Sequence, residues 1–103
     1  MMNIFKQLFG SAETVDLGNL IKEGAFLVDV RTTGEFAAGH VKGSVNIPLD
    51  RLGSEMAKFK NKNNIIVFCQ SGARAGQAKK ILEQNGFTNI INGGSWNSIN
   101  KYI

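Results

Sequence analysis

The chain has 103 residues, 43% of them hydrophobic and 19% charged, which is enough for one small globular domain with one core and not for two. Its formal net charge of +4 comes from lysines scattered in ones and twos, which reads as a solvated surface rather than the basic stripe of a nucleic-acid binder. Cys69 is the only cysteine and His40 the only histidine, so the sequence holds neither an internal disulfide nor a Cys/His metal cluster, and no metal or other cofactor is expected.

At the N-terminus, Ile4, Phe5, Leu8 and Phe9 fall on one helical face, while Lys6 and Gln7 interrupt the apolar stretch. Residues 1–11 therefore read as a short helix or arm rather than a signal peptide, and residues 12–103 as the domain proper. No apolar run approaches the roughly 20 residues that cross a bilayer, and a cytoplasmic location without membrane insertion is expected. Asp16 caps a short helix carrying Leu17, Leu20 and Ile21, which Gly24 ends. Residues 25–30 (AFLVDV) form a continuous apolar strand of the buried parallel kind, with one charge near its end.

Thr32 or Thr33 then caps a second short helix, with Glu35 in its first turn and Phe36 as its apolar contact. Glu35 is expected either to pair with Arg31 or to act only as a cap. Residues 39–43 make a turn, and residues 44–47 a short strand stopped by Pro48. Leu52, Met56 and Phe59, spaced by four and three, predict a helix over 50–60.

Ile65 to Phe68 read as a buried strand, and helical periodicity resumes at Ala75. That helix buries Ala75, Ala78, Ile81 and Leu82, and Gly86 stands just past its end. Residues 88–92 read as a last strand, Gly93-Gly94 as a turn, and Ser95 as the cap of a closing helix with Trp96 and Ile99. Strands and helices alternate throughout. This predicts an α/β fold with a mainly parallel central sheet covered by helices on both faces. Ligands of such sheets bind beyond the carboxyl ends of the strands.

Cys69 sits at such an end, followed by Gln70, Ser71, Gly72, Ala73 and Arg74. Three features favour an anion there. The following helix directs its first N–H groups back at the sulfur. The loop amides curl around it if Gly72 takes a conformation closed to other residues. Arg74 adds a permanent charge, and a cation at a helix start, where the dipole is positive, implies an anionic partner. A thiol so placed is expected to react as a thiolate rather than to pack as an inert side chain.

Four segments, in order, resemble the single-domain rhodaneses of the sulfurtransferase superfamily. They are residues 27–31 (LVDVR) with Glu35-Phe36, residues 39–48 (GHVKGSVNIP), residues 67–74 (VFCQSGAR), and Gly86-Phe87 followed by Gly93-Gly94. The resemblance spans about residues 12–100. It implies that Cys69 takes a sulfane sulfur from thiosulfate or a persulfide donor, holds it as a persulfide, and passes it to a thiol, a protein acceptor or cyanide. Gln70, Ser71, Gly72, Ala73 and Arg74 would bind the sulfur and its small anionic donor. Asp29 and Arg31 match a strand-end pair, read here as a hydrogen-bonded brace beneath the loop. His40 is read as structural rather than as a general base, since a low-pKa thiolate needs none.

Four residues separate Cys69 from Arg74, one fewer than in tyrosine and dual-specificity phosphatases. The tighter cradle suits one sulfur atom better than a tetrahedral phosphate, so phosphatase or arsenate reductase activity ranks below sulfur transfer. A persulfide carrier or protein-binding module without small-molecule turnover is the alternative from another class.

Overall fold

The computed structural model describes residues 16–103, so the expected arm at 1–11 lies outside the described residues. The elements in order are α1 (Leu17–Lys22), β1 (Phe26–Asp29), α2 (Thr33–Ala38), β2 (Val45–Asn46), a 3₁₀ segment (Leu49–Phe59), β3 (Ile65–Cys69), α3 (Ala73–Gln84), β4 (Ile90–Ser95) and α4 (Trp96–Asn100). The four strands form one sheet in the order β2-β1-β3-β4, and every neighbouring pair is parallel. All four carboxyl ends therefore face one edge.

Two apolar layers cover the sheet. On one face, Val28, Ile65 and Val67 meet Leu52 and Phe59 of the 3₁₀ segment and Ala75, Ala78 and Leu82 of α3. On the other, Leu27, Ile66 and Phe68 meet Ile99 and Trp96 of α4 and Leu17, Leu20 and Ile21 of α1. The alternation of Ile65, Ile66, Val67 and Phe68 between the layers is the two-residue period of a strand buried on both sides. Each such side chain contributes about 1.5–3 kcal/mol by leaving water.

Local signals behave as their chemistry requires. Asp16 accepts from the Asn19 N–H at 3.0 Å and caps α1. Thr32, not Thr33, caps α2: its hydroxyl accepts from the Glu35 N–H, while the Glu35 carboxylate accepts from the Thr32 N–H, a complete capping box. Ser95 caps α4 by accepting from the Ser98 N–H.

Two expectations need correction. The segment after Pro48 is 3₁₀ rather than α, with a break at Glu55 (φ −116°, ψ 21°). The spacings of four and three between Leu52, Met56 and Phe59 are those of an α-helix, and the break at Glu55 between them is what lets Leu52 and Phe59 both be buried on a 3₁₀ backbone. Gly93-Gly94 is not a turn, because β4 runs through both to Ser95. Glycine is needed at 93 by contact: a Cβ there would lie 2.8 Å from Ile66 Cγ2 and from Ile99 Cδ1. The missing side chain lets α4 close onto the sheet.

Candidate active site

Cys69 is the last residue of β3, paired in register with Ser95 of β4 across an irregularity that follows Val67. It is 1% exposed, at the floor of the loop that leads into α3. Gly72 adopts φ +103°, ψ −14°, in the left-handed region, and stands as the N-cap of α3. This turn folds the backbone over the sulfur. Sγ accepts from the Gly72 N–H at 3.0 Å and the Ala75 N–H at 3.4 Å. Burial pushes the Cys69 thiol up; the amides of Ala75, Gly72, Ser71 and Arg74 outweigh it, and its pKa lies below the ordinary value. The donors turned toward the sulfur are backbone amides.

The side chains of Gln70, Ser71 and Ala73 are exposed around this cradle. Arg74 is half-buried, and its partner corrects the expectation for Glu35. The Glu35 carboxylate accepts from Arg74 through Nη1 at 2.7 Å and Nη2 at 3.0 Å, rather than pairing with Arg31. The anionic partner implied by a cation at a helix start is thus supplied by the chain itself. Arg74, with help from the Thr32 N–H, lowers Glu35 to about 2, and Glu35 in turn raises Arg74. Arg74 acts on Cys69 chiefly through its amide, while the guanidinium and the sulfur also attract each other by charge, more weakly than Glu35 attracts the guanidinium.

Asp29 and Arg31 stand at the end of the adjacent strand and are buried together. Arg31 donates to Asp29 through Nε at 3.0 Å and Nη2 at 2.7 Å, and Nη2 also reaches the Gly39 carbonyl at 2.8 Å. The guanidinium lies over the Trp96 ring, 4.5 Å from its centroid. Asn46 completes the corner by donating to the carbonyls of Asp29 and Arg31, both at 3.0 Å. Asp29 is in register with Phe68, and the Val30 N–H donates to the Phe68 carbonyl at 2.9 Å, which ties this corner to the residue before Cys69. His40 stacks on Phe36 with centroids 3.8 Å apart, and its Nδ1 lies 2.8 Å from the Phe36 carbonyl.

Asn92 is a site residue that sequence reasoning missed. Its Nδ2 donates to the Gly72 carbonyl at 3.2 Å, and its Oδ1 accepts from the Gly94 N–H at 2.8 Å. It struts the cysteine loop from β4. The one signal was its position just before a glycine pair, which reads equally as a turn residue. Beside Arg74, a cavity of about 320 Å³ is lined by Val30, Thr32, Pro48, Leu49, Asp50 and Arg74. Among the described residues no cluster of three or more His, Cys, Asp or Glu side chains is placed to hold a metal ion. No helix there is long and apolar enough to cross a membrane.

The rhodanese-like domain family profile matches residues 13–101. Over 74 residues the chain is 36% identical to thiosulfate sulfurtransferase PspE of Escherichia coli (strain K12), covering 70% of this chain and 71% of that protein. It is 38% identical over 68 residues to YqhL of Bacillus subtilis (strain 168), covering 66% of this chain and 54%, about half, of that longer relative. The solved structure of the human single-domain sulfurtransferase TSTD1 superposes with a TM-score of 0.69 at 35% identity, covering 80% of this chain and 87% of that one. The cysteine loop at the end of a parallel strand is thus found on a matching sequence and a matching fold: the chain belongs to the rhodanese-like domain family and is a rhodanese-like enzyme.

Proposed function

We propose that this protein is a sulfurtransferase working through a persulfide on Cys69. The thiolate attacks the outer sulfur of a small donor, thiosulfate or a persulfide; the donor's S–S bond breaks, and its electron pair leaves with sulfite or a thiolate. The bound sulfur then passes to a thiol, a protein acceptor or cyanide. The loop amides hold the charge before and after transfer, Gly72 sets the turn, and the exposed side chains of Gln70, Ser71 and Ala73 meet the donor. The Asp29–Arg31 pair braces the neighbouring strand end.

The observation that carries this reading is the pair of N–H groups aimed at Sγ, at 3.0 and 3.4 Å. A cradle of amides stabilises an anion without a protonating partner, and His40, bound to Phe36, is not needed as a base. A lone thiol fits a reducing compartment such as the cytoplasm, with the second substrate arriving from outside. Residues 12–103 form the catalytic unit in this reading.

The test is intact-mass analysis after incubation with thiosulfate or glutathione persulfide, followed by cyanide and a thiocyanate assay. Gain of one sulfur atom and steady turnover are expected, both lost in Cys69→Ser. Gain without turnover, except with a partner protein, would replace the enzyme by a carrier. No gain from either donor would sink both.

A further inference from the structure

Arg74 is the one cationic side chain of the cysteine loop, and both of its terminal nitrogens are already engaged by the Glu35 carboxylate, at 2.7 and 3.0 Å. The carboxylate is itself fixed from behind, because the Thr32 N–H and hydroxyl both donate to Oε1, at 2.9 and 3.0 Å. Gln70, Ser71 and Ala73 add no charge. The mouth of the site therefore presents a neutral ion pair where a sulfonate group would need a free guanidinium.

The cavity beside Arg74 points the same way. Val30, Pro48 and Leu49 give it apolar walls, Asp50 adds a carboxylate, and its only cation is the guanidinium already bound to Glu35. The cavity meets the cysteine loop at Arg74, which lines it and closes that loop. It offers room for a carbon chain and little for a dianion.

We infer that Glu35, by occupying Arg74, makes the site favour sulfur donors that leave as an organic thiolate over donors that leave as sulfite, with the organic part seated in the cavity beside Arg74. The inference rests on the persulfide chemistry proposed above. With an alkyl persulfide, the Cys69 thiolate bonds to the outer sulfur, the RS–SH bond breaks, and RS⁻ departs with the electron pair while the proton stays on the new persulfide. With thiosulfate, the same attack expels SO₃²⁻, whose charge develops next to a guanidinium that is not free to receive it.

The test is the second-order rate of sulfur uptake by Cys69, followed by intact mass on the full chain, with glutathione persulfide and with thiosulfate. Persulfides are intrinsically the faster donors, so the decisive quantity is the ratio of the two constants. Glu35→Gln keeps a side chain able to complete the capping box while removing the charge. It should shift the ratio toward thiosulfate by about fivefold, with a steeper salt dependence of the thiosulfate constant. Leu49→Trp, which narrows the cavity, should shift the ratio the same way by lowering the persulfide constant, with the fold checked by circular dichroism. An unchanged ratio in a folded Glu35→Gln protein overturns the inference and leaves sulfur transfer standing. Uptake from neither donor by the wild type overturns the sulfur-transfer reading itself.

Discussion

Strands β1 and β3 lie side by side, and each brings an acidic group to the same edge of the sheet. At the end of β1 the Asp29 carboxylate is met by a side-chain cation, Arg31, with both side chains sealed from water. At the end of β3 the Cys69 sulfur is met by backbone N–H groups. A guanidinium neutralises its anion and fixes it as part of the structure, whereas amides stabilise a charge without consuming it. The first arrangement suits a brace and the second a nucleophile. The difference also shows what Arg74 does: it stands beside the sulfur but spends its charge on Glu35.

The sharpest way to break this contrast is to remove one half of the brace. Arg31→Ala strands a buried carboxylate and should cost about 3–5 kcal/mol in denaturant-induced unfolding. A loss below about 1 kcal/mol would mean that the pair behaves like one on the surface. Gly72→Ala attacks the other strand end. A side chain at φ +103° costs about 1–2 kcal/mol, and the strain should draw the Gly72 N–H away from Sγ. The thiol pKa should then rise, because one of the amides that lower it is drawn away, as read from the pH profile of alkylation by iodoacetamide. An unchanged profile would show that the other amides suffice.

Arg74→Ala should move that alkylation profile less than Gly72→Ala does, by about threefold in rate at neutral pH or less, because the amides remain and the lost charge was already paired. A larger shift than in Gly72→Ala would reverse the assignment. The smallest effect concerns the ion pair itself. Glu35 is lowered from 4.5 to about 2, so its contribution is complete above about pH 4.5 and fades as the pH falls through about 2. Both side chains are about a third exposed, at 32% and 35%, so the pair should be worth under about 1 kcal/mol. The stability difference between wild type and Glu35→Gln should close over that acid window. A difference that persists below it would point to capping rather than charge.

Much of the frame was legible in the chain. The apolar runs of β1 and β3, alternating with helices capped by Asp16, Thr32 and Ser95, implied a parallel sheet, because each signal acts within a few residues of itself. The cysteine loop was legible for the same reason, since the sulfur, the left-handed glycine and the helix start are contiguous. The 3₁₀ character of the segment after Pro48 was not, because its apolar spacing is that of an α-helix and only the break at Glu55 brings Leu52 and Phe59 to the core together. Nor was the continuation of β4 through Gly93-Gly94, where packing against Ile66 and Ile99 overrides the usual meaning of paired glycines.

By itself, the order of residues determined which strand ends in a thiol and which in a carboxylate, and that helices cover both faces of the sheet. The tertiary structure alone decided who meets whom across the chain. Glu35 finds Arg74 thirty-nine residues away rather than the nearby Arg31, and Asn92 reaches back twenty residues to Gly72. Such choices depend on the three-dimensional register of neighbouring strands. A charged or amide side chain takes whichever partner that register brings within hydrogen-bond distance, and local sequence carries no measure of that distance.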